Sequence, residues 1–197
     1  LWLPEHNDQI FEFLSLAGQL KARLVKPGVE DGESIEERAG FLDLPESVFL
    51  LYCLMEAERA GYGDAPRWRA GFDATYDLAC MLTSEDCAIE LPAFRLVVVA
   101  ELQGMNPATY AVLEHRLARG NAFFTGAGDF DQVIHRWAGA DVNFIRTRFG
   151  QGWRSVESLP LTRTYRHGPV MALATAALKD KEVVSGRRHE THLQRET

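Results

Sequence analysis

Between residues 8 and 24 the apolar side chains Ile10, Phe11, Phe13, Leu14, Leu16, Ala17, Leu20 and Leu24 recur near helical spacing, with polar residues between them. Asp8 is placed to cap this helix. Pro27, Gly28 and the acidic stretch that follows break the pattern. The spacing predicts a second helix over 45–60, with Pro45 at its first position and Gly61 at its stop. It predicts a third over 72–83. Residues 1–90 therefore read as an all-helical subdomain, with no internal repeats or low-complexity tracts.

The period changes after Pro92. Residues 94–100 (FRLVVVA) form a short continuous apolar run, expected of a strand buried on both faces of a parallel sheet. Further along, the pattern predicts a helix over 107–119 ended by Gly120, a strand over 121–125, a helix over 141–149, a short strand over 155–159 and a helix over 169–178. Alternating strands and helices imply an α/β domain with a parallel sheet. Ligands of such sheets bind at the carboxyl ends of the strands.

Composition narrows the class. Hydrophobic residues make up 46% and charged residues 25% of the chain, the balance of a soluble globular protein. No apolar run approaches the roughly 20 residues of a membrane span, so a cytoplasmic chain without a membrane partner is expected. The chain starts at Leu1 without a signal-peptide pattern and reads as a piece of a longer or processed protein. Cys53, Cys80 and Cys87 form no CxxC pair, and free thiols in a reducing compartment are expected. The histidines and cysteines show no zinc-ligand spacing, and no serine sits in a G-x-S-x-G elbow.

The net charge of −7 argues against a dedicated duplex-DNA binder, which needs a basic footprint. It does not exclude a protein that grips single strands by base stacking. The acidic run 30–37 (EDGESIEE) and the basic run 187–195 (RRHETHLQR) read as solvated surface.

Three segments carry a family resemblance. The first is Val98-Val99-Ala100-Glu101-Leu102-Gln103-Gly104-Met105-Asn106-Pro107, running out of the end of the Val-rich strand. The second runs from Gly128-Asp129-Phe130-Asp131-Gln132 through His135-Arg136-Trp137-Ala138-Gly139-Ala140 to Asp141. The third is Leu161-Thr162-Arg163-Thr164-Tyr165-Arg166-His167. In this order they resemble the acidic motif, the G-D-x-x-Q-x-I-Y-x-W-R-G-A motif and the L-x-x-N-Y-R-S motif of UvrD/Rep-like superfamily 1 DNA helicases. Tyr76-Asp77-Leu78-Ala79 is weakly similar to a further element upstream of the acidic motif.

The resemblance implies part of a RecA-like P-loop NTPase sheet over 91–160, preceded by a helical insertion over 1–90 and followed by the start of a second motor domain over 161–197. It implies ATP and Mg²⁺ in the parent protein, with single-stranded DNA and the remainder of the helicase chain as partners. Glu101 matches the carboxylate that activates water, and Gln132 the residue that senses the terminal phosphate. Gln103 and Asp129 match positions beside the nucleotide, with Gln103 linking the two motifs. Arg166 matches the arginine that reaches the γ-phosphate. His135 and Trp137 match positions that stack on single-stranded bases, and on an extended segment they would face one way.

The sequence departs from the family at five positions. Ala100 stands where the family has the magnesium-associated aspartate, and Gly104 replaces a second acid. His135 replaces a tyrosine, Ala138 an arginine and Thr164 an asparagine. No G-x-x-x-x-G-K-[ST] loop occurs, so it is expected upstream, and this chain alone is expected not to hydrolyse ATP. The alternative is a degenerate, non-catalytic motor domain that binds single-stranded DNA or assists assembly.

Overall fold

The computed structural model describes residues 4–61, 65–118, 122–149 and 156–191. It is mixed α/β and mostly helical, with two small parallel two-stranded sheets. Two compact units divide near residue 152, and each is described by itself.

The first unit begins with α1 (Pro4–Ala22), α2 (Ile35–Phe41), α3 (Glu46–Ala60) and α4 (Asp73–Leu82). The helical expectation for this stretch holds, with three differences. Helix α1 starts before Asp8, which lies inside it and is not its cap. The acidic run is not only loose surface, because its end starts α2. Ser34 Oγ accepts from Glu37 N–H at 3.1 Å, and Glu37 Oε2 accepts from Ser34 N–H at 2.8 Å, a reciprocal capping box. Pro45 is extended, with ψ 138°, and precedes α3 instead of taking its first position, whereas Gly61 ends the helix as expected, at φ 64°.

Ala17 and Leu20 of α1, Val25, Ala39 of α2, and Phe49 and Tyr52 of α3 form one core cluster. Full burial of aromatic and leucine side chains stabilises by about 1.5–3 kcal/mol each. The Tyr52 and Tyr76 hydroxyls both donate to the Val25 carbonyl, at 2.8 and 3.1 Å. Burial pushes both phenols well above their ordinary range.

Beside this core lies a buried ionic cluster. Lys21 pairs with Asp73 and, at 2.6 Å, with Glu56. Arg59 pairs with Glu56 at 2.8 Å and with Asp77 at 2.7 Å. Phe49, Tyr52, Glu56 and Arg59 share the buried stripe of α3, so two of its positions carry charge where an apolar residue is the rule. The pairs tie α1, α3 and α4 together.

The same unit continues with β1 (Leu96–Val99), α5 (Pro107–Ala118) and β2 (Phe123–Gly126). The strands pair in parallel, with Leu96 opposite Phe123 and Val99 opposite Gly126. The expected burial of β1 on both faces is not found. Leu96, Val98 and Phe123 are exposed, whereas Phe124 on the other face stacks on Phe149 with ring centroids 4.9 Å apart. Among the described residues only one face is covered, which leaves β1 alternating exposed and half-buried positions and β2 with only Phe124 half-buried.

The helix expected over 141–149 is present in part and is wound as a π-helix over Phe144–Arg148. Phe144 and Phe149 pack on Tyr110 of α5, at 5.1 and 5.6 Å between centroids. Gly120, Asn121 and Ser155, part of the expected helix stop and strands, lie outside the described residues. No helix among the described residues is long and apolar enough to cross a membrane.

The second unit holds β3 (Arg163–Thr164), α6 (Pro169–Lys179) and β4 (Val184–Ser185). Strands β3 and β4 are parallel. The strand expected over 155–159 is not formed at 156–159, where the backbone has no regular partner among the described residues. Helix α6 receives its N-terminal caps from downstream. Thr191 Oγ1 accepts from Gly168 N–H at 2.7 Å, and Glu190 Oε2 accepts from Val170 N–H at 3.2 Å.

Candidate functional site

The chain bends at Ala100 as it leaves β1, and Glu101 adopts the left-handed conformation with φ 57°. That conformation costs roughly 1–2 kcal/mol for a residue with a Cβ. It sends the backbone into a single 3₁₀ turn over Leu102–Gly104 and holds Glu101 at the carboxyl end of β1. From β2 the chain runs through Ala127, whose N–H donates to the Val99 carbonyl at 2.9 Å. Leu102 N–H in turn donates to the Ala127 carbonyl at 2.9 Å. The first two motif segments therefore lie side by side at the carboxyl ends of adjacent strands.

Their side chains form one hydrogen-bonded chain. Gln103, 7% exposed, donates through Nε2 to Glu101 Oε2. Its Oε1 accepts from the backbone N–H of Asp129 at 3.1 Å. The Asp129 carboxylate accepts from Asp131 N–H at 3.0 Å and from Gln132 Nε2 at 2.8 Å. Gly128 allows this approach, because a Cβ there would sit 3.0 Å from both Gln103 Oε1 and Leu102 Cβ. Gln103 thus spans from the carboxylate of one segment to the backbone of the other, and Asp129 orients the amide of Gln132.

Beyond Gln132 the backbone is not the extended segment expected. A 3₁₀ turn covers Arg136–Ala138, closed by Gly139 at φ 79°. The His135 and Trp137 rings meet edge to face, with centroids 5.9 Å apart and planes at 80°. Trp137 is 50% exposed, so a large part of its indole surface is open to a ligand. Ala138 is buried beneath the turn. Trp68, another tryptophan of the described residues, has Lys21 Nζ 6.0 Å from its ring.

Arg166 lies in the second unit, in the turn between β3 and α6. Its N–H donates to Thr164 Oγ1 at 3.2 Å, and its carbonyl accepts from Arg187 Nη1 at 3.2 Å. Thr164 therefore shapes the turn that presents Arg166.

The donor set does not fit a magnesium ion held by these residues alone. Ala100 offers a methyl group where an oxygen ligand is needed. The Asp129 oxygens are engaged by Asp131 and Gln132, and Glu101 Oε2 by Gln103. Among the described residues no group of three His, Cys, Asp or Glu side chains is placed to hold a metal. A side chain at Gly104 would meet nothing within 4 Å, so packing does not exclude a larger residue there. Cys53, Cys80 and Cys87 are free thiols.

Two features went unread in the sequence. The buried ionic cluster left its signal in the spacing of charges on apolar helical stripes, Glu56 and Arg59 on α3 and Asp73 and Asp77 on α4. The packing of Arg23, in the turn just after α1, beside the Trp137 turn left no sequence signal. Neither family models nor curated proteins give a match to this chain.

Proposed function

We propose that the chain is part of the ATP-dependent motor of a UvrD/Rep-like superfamily 1 DNA helicase. Its α/β portion would belong to a RecA-like sheet, and the parent protein would couple ATP hydrolysis to movement along single-stranded DNA. The observation that carries this reading is the hydrogen-bonded chain Glu101–Gln103–Asp129–Gln132 at the carboxyl ends of β1 and β2. In it a carboxylate suited to accepting a proton from water is linked to an amide that can both donate and accept. The same backbone leads within a few residues to the exposed Trp137. A change at Gln132 thus has a short covalent and hydrogen-bonded route to a surface on which a base can stack.

Arg166 is assigned to the phosphate side of the reaction, since a guanidinium fork suits phosphate oxygens. ATP phosphates and magnesium need a glycine-rich loop and a second carboxylate, and these residues supply neither. Hydrolysis is therefore assigned to the larger motor and not to this chain alone.

One observation favours a second reading. Ala100 and Ala138 remove a carboxylate and a guanidinium from the two motif segments while the aromatic turn is kept. That pattern suits a non-catalytic module that still binds single strands.

ATP hydrolysis by the full-length parent, with and without single-stranded DNA, separates the two. DNA-stimulated turnover that is lost in Glu101→Gln supports the motor. A folded protein that binds single strands without hydrolysing ATP supports the module. A protein that does neither sinks both.

A further inference from the structure

The turn that carries His135 and Trp137 rests on α1. A Cβ at Gly139 would lie 3.0 Å from Arg23 Cγ, 3.4 Å from Pro107 Cδ and 3.5 Å from Asn106 Cβ. The aliphatic stem of Arg23 is therefore packed against backbone two positions from Trp137. Its own anchor is firm, because Lys21, one half-turn earlier, is buried between Glu56 and Asp73. Arg23 itself is exposed, and its guanidinium forms no ion pair among the described residues. Arg136, in the same turn as Trp137, is likewise exposed and outside every ion pair of the described residues. Asp141, five residues after Arg136, is bonded to Asn143, accepting from its N–H at 2.9 Å and from its amide at 3.2 Å.

In a chain of net charge −7, this corner joins unpaired guanidinium groups to an exposed indole. A nucleic-acid strand presents both complements, a phosphate backbone and the face of a base. We propose that Arg23 is a phosphate-binding residue of the single-strand surface centred on Trp137, so that the helical subdomain contributes directly to that surface. The proposal rests on the reading of Trp137 as a stacking platform. The stem fixes the position of the group, and the guanidinium fork takes the phosphate beside the stacked base.

The test is binding of a fluorescently labelled oligo(dT) to the full chain, read by anisotropy over a series of salt concentrations. Arg23→Met keeps the stem and removes the charge, and Arg23→Lys keeps both. Arg23→Met is expected to bind several-fold more weakly at low salt, with a log–log salt slope smaller by about 0.7, the value for one phosphate on a single strand. Arg23→Lys is expected to keep the wild-type slope. Both should unfold at the wild-type temperature.

Wild-type affinity and slope in Arg23→Met, together with weakened binding in Trp137→Ala, would overturn the role of Arg23 and leave the Trp137 reading standing. Weaker binding at an unchanged slope would also overturn it, since the residue would then act by packing alone. A wild-type chain that binds no oligo(dT) would overturn both.

Discussion

The side-chain carbonyl of Gln103 accepts a hydrogen bond from the backbone N–H of Asp129 at 3.1 Å, joining positions 26 residues apart. Gln103 is buried, so removing its amide leaves the Asp129 N–H and one Glu101 oxygen without their partner. Glu101 is exposed and Asp129 half-buried, so water reaches the groups left behind, and Gln103→Leu is expected to destabilise the protein by about 0.5–1.5 kcal/mol, the usual net worth of a hydrogen bond. Urea unfolding checks this, and a change below a few tenths would mean that water replaces the amide.

Lys21 is the cation shared by Glu56 and Asp73, all nearly without solvent contact. Replacing it with methionine leaves two buried carboxylates with Arg59 as their remaining cation, 2.8 Å from Glu56 and 3.9 Å from Asp73. Lys21→Met is expected to cost about 3 kcal/mol, the lower end of the range for breaking a buried pair, because Arg59 still faces both carboxylates. The midpoint of chemical denaturation reads this directly.

Acid should loosen the same helices through Asp77. Burial alone would raise the Asp77 carboxyl, but hydrogen bonds and charge from Arg59 and Arg69 hold it below its ordinary 3.8. The unfolded chain therefore takes up the proton first as pH falls. The stabilisation is present in full above the ordinary value and fades as pH drops through the lower folded-state value. Unfolding free energy measured from about pH 6 to 3 should fall at the acid end and fall less steeply in Asp77→Asn. Some slope should remain in that variant, because hydrogen bonds with the Ser34 backbone and hydroxyl also hold Glu37 below its ordinary value.

Trp137 is half exposed beside His135. If its indole carries a base, Trp137→Ala should weaken single-strand binding roughly 5- to 150-fold, corresponding to about 1–3 kcal/mol per stacked base. Intrinsic fluorescence of the wild type should be quenched on binding. Equal affinity in the variant would remove Trp137 from the surface.

Ser34 closes a capping box that starts α2. Ser34→Ala should cost about 1 kcal/mol, with Glu37→Gln much milder, because an amide oxygen can still accept from the Ser34 N–H. Thermal unfolding of the two variants distinguishes them.

That cap also shows where sequence patterns stop being informative. Ser34-Ile35-Glu36-Glu37 carries the S-x-x-E signal in plain view, yet α2 is too short to show a period and sits in an acidic run. The long helices α1, α3, α4, α5 and α6 were legible because each spans enough turns for apolar spacing to recur. Strand β1 was legible as a strand from its valines, but not its burial, because a run of apolar residues does not say how many layers cover it. The proximity of Glu101, Gln103, Asp129 and Gln132 was expected from the placement of their two segments after neighbouring strands, and the hydrogen bonds among them are seen. The 3₁₀ turn at Arg136–Ala138 did not, since it depends on Gly139 meeting Arg23 and Asn106 from distant parts of the chain. Arg23 itself carries no motif, and only tertiary packing brings it to the Trp137 turn.

Strands β1 and β2 pair only with each other among the described residues. A lone strand pair is marginally stable in water, and its outer edges present unmet N–H and C=O groups. The sequences LVVV and FFTG contain no lysine or proline to guard those edges, and Leu96, Val98 and Phe123 face outward. As an isolated chain at high concentration, the protein is expected to add further backbone at this place, with copies of itself as the nearest source. Handling conditions that suppress edge-to-edge aggregation, such as low protein concentration or a charged substitution at Val98, should therefore also preserve the strand ends on which Glu101 and Asp129 are mounted.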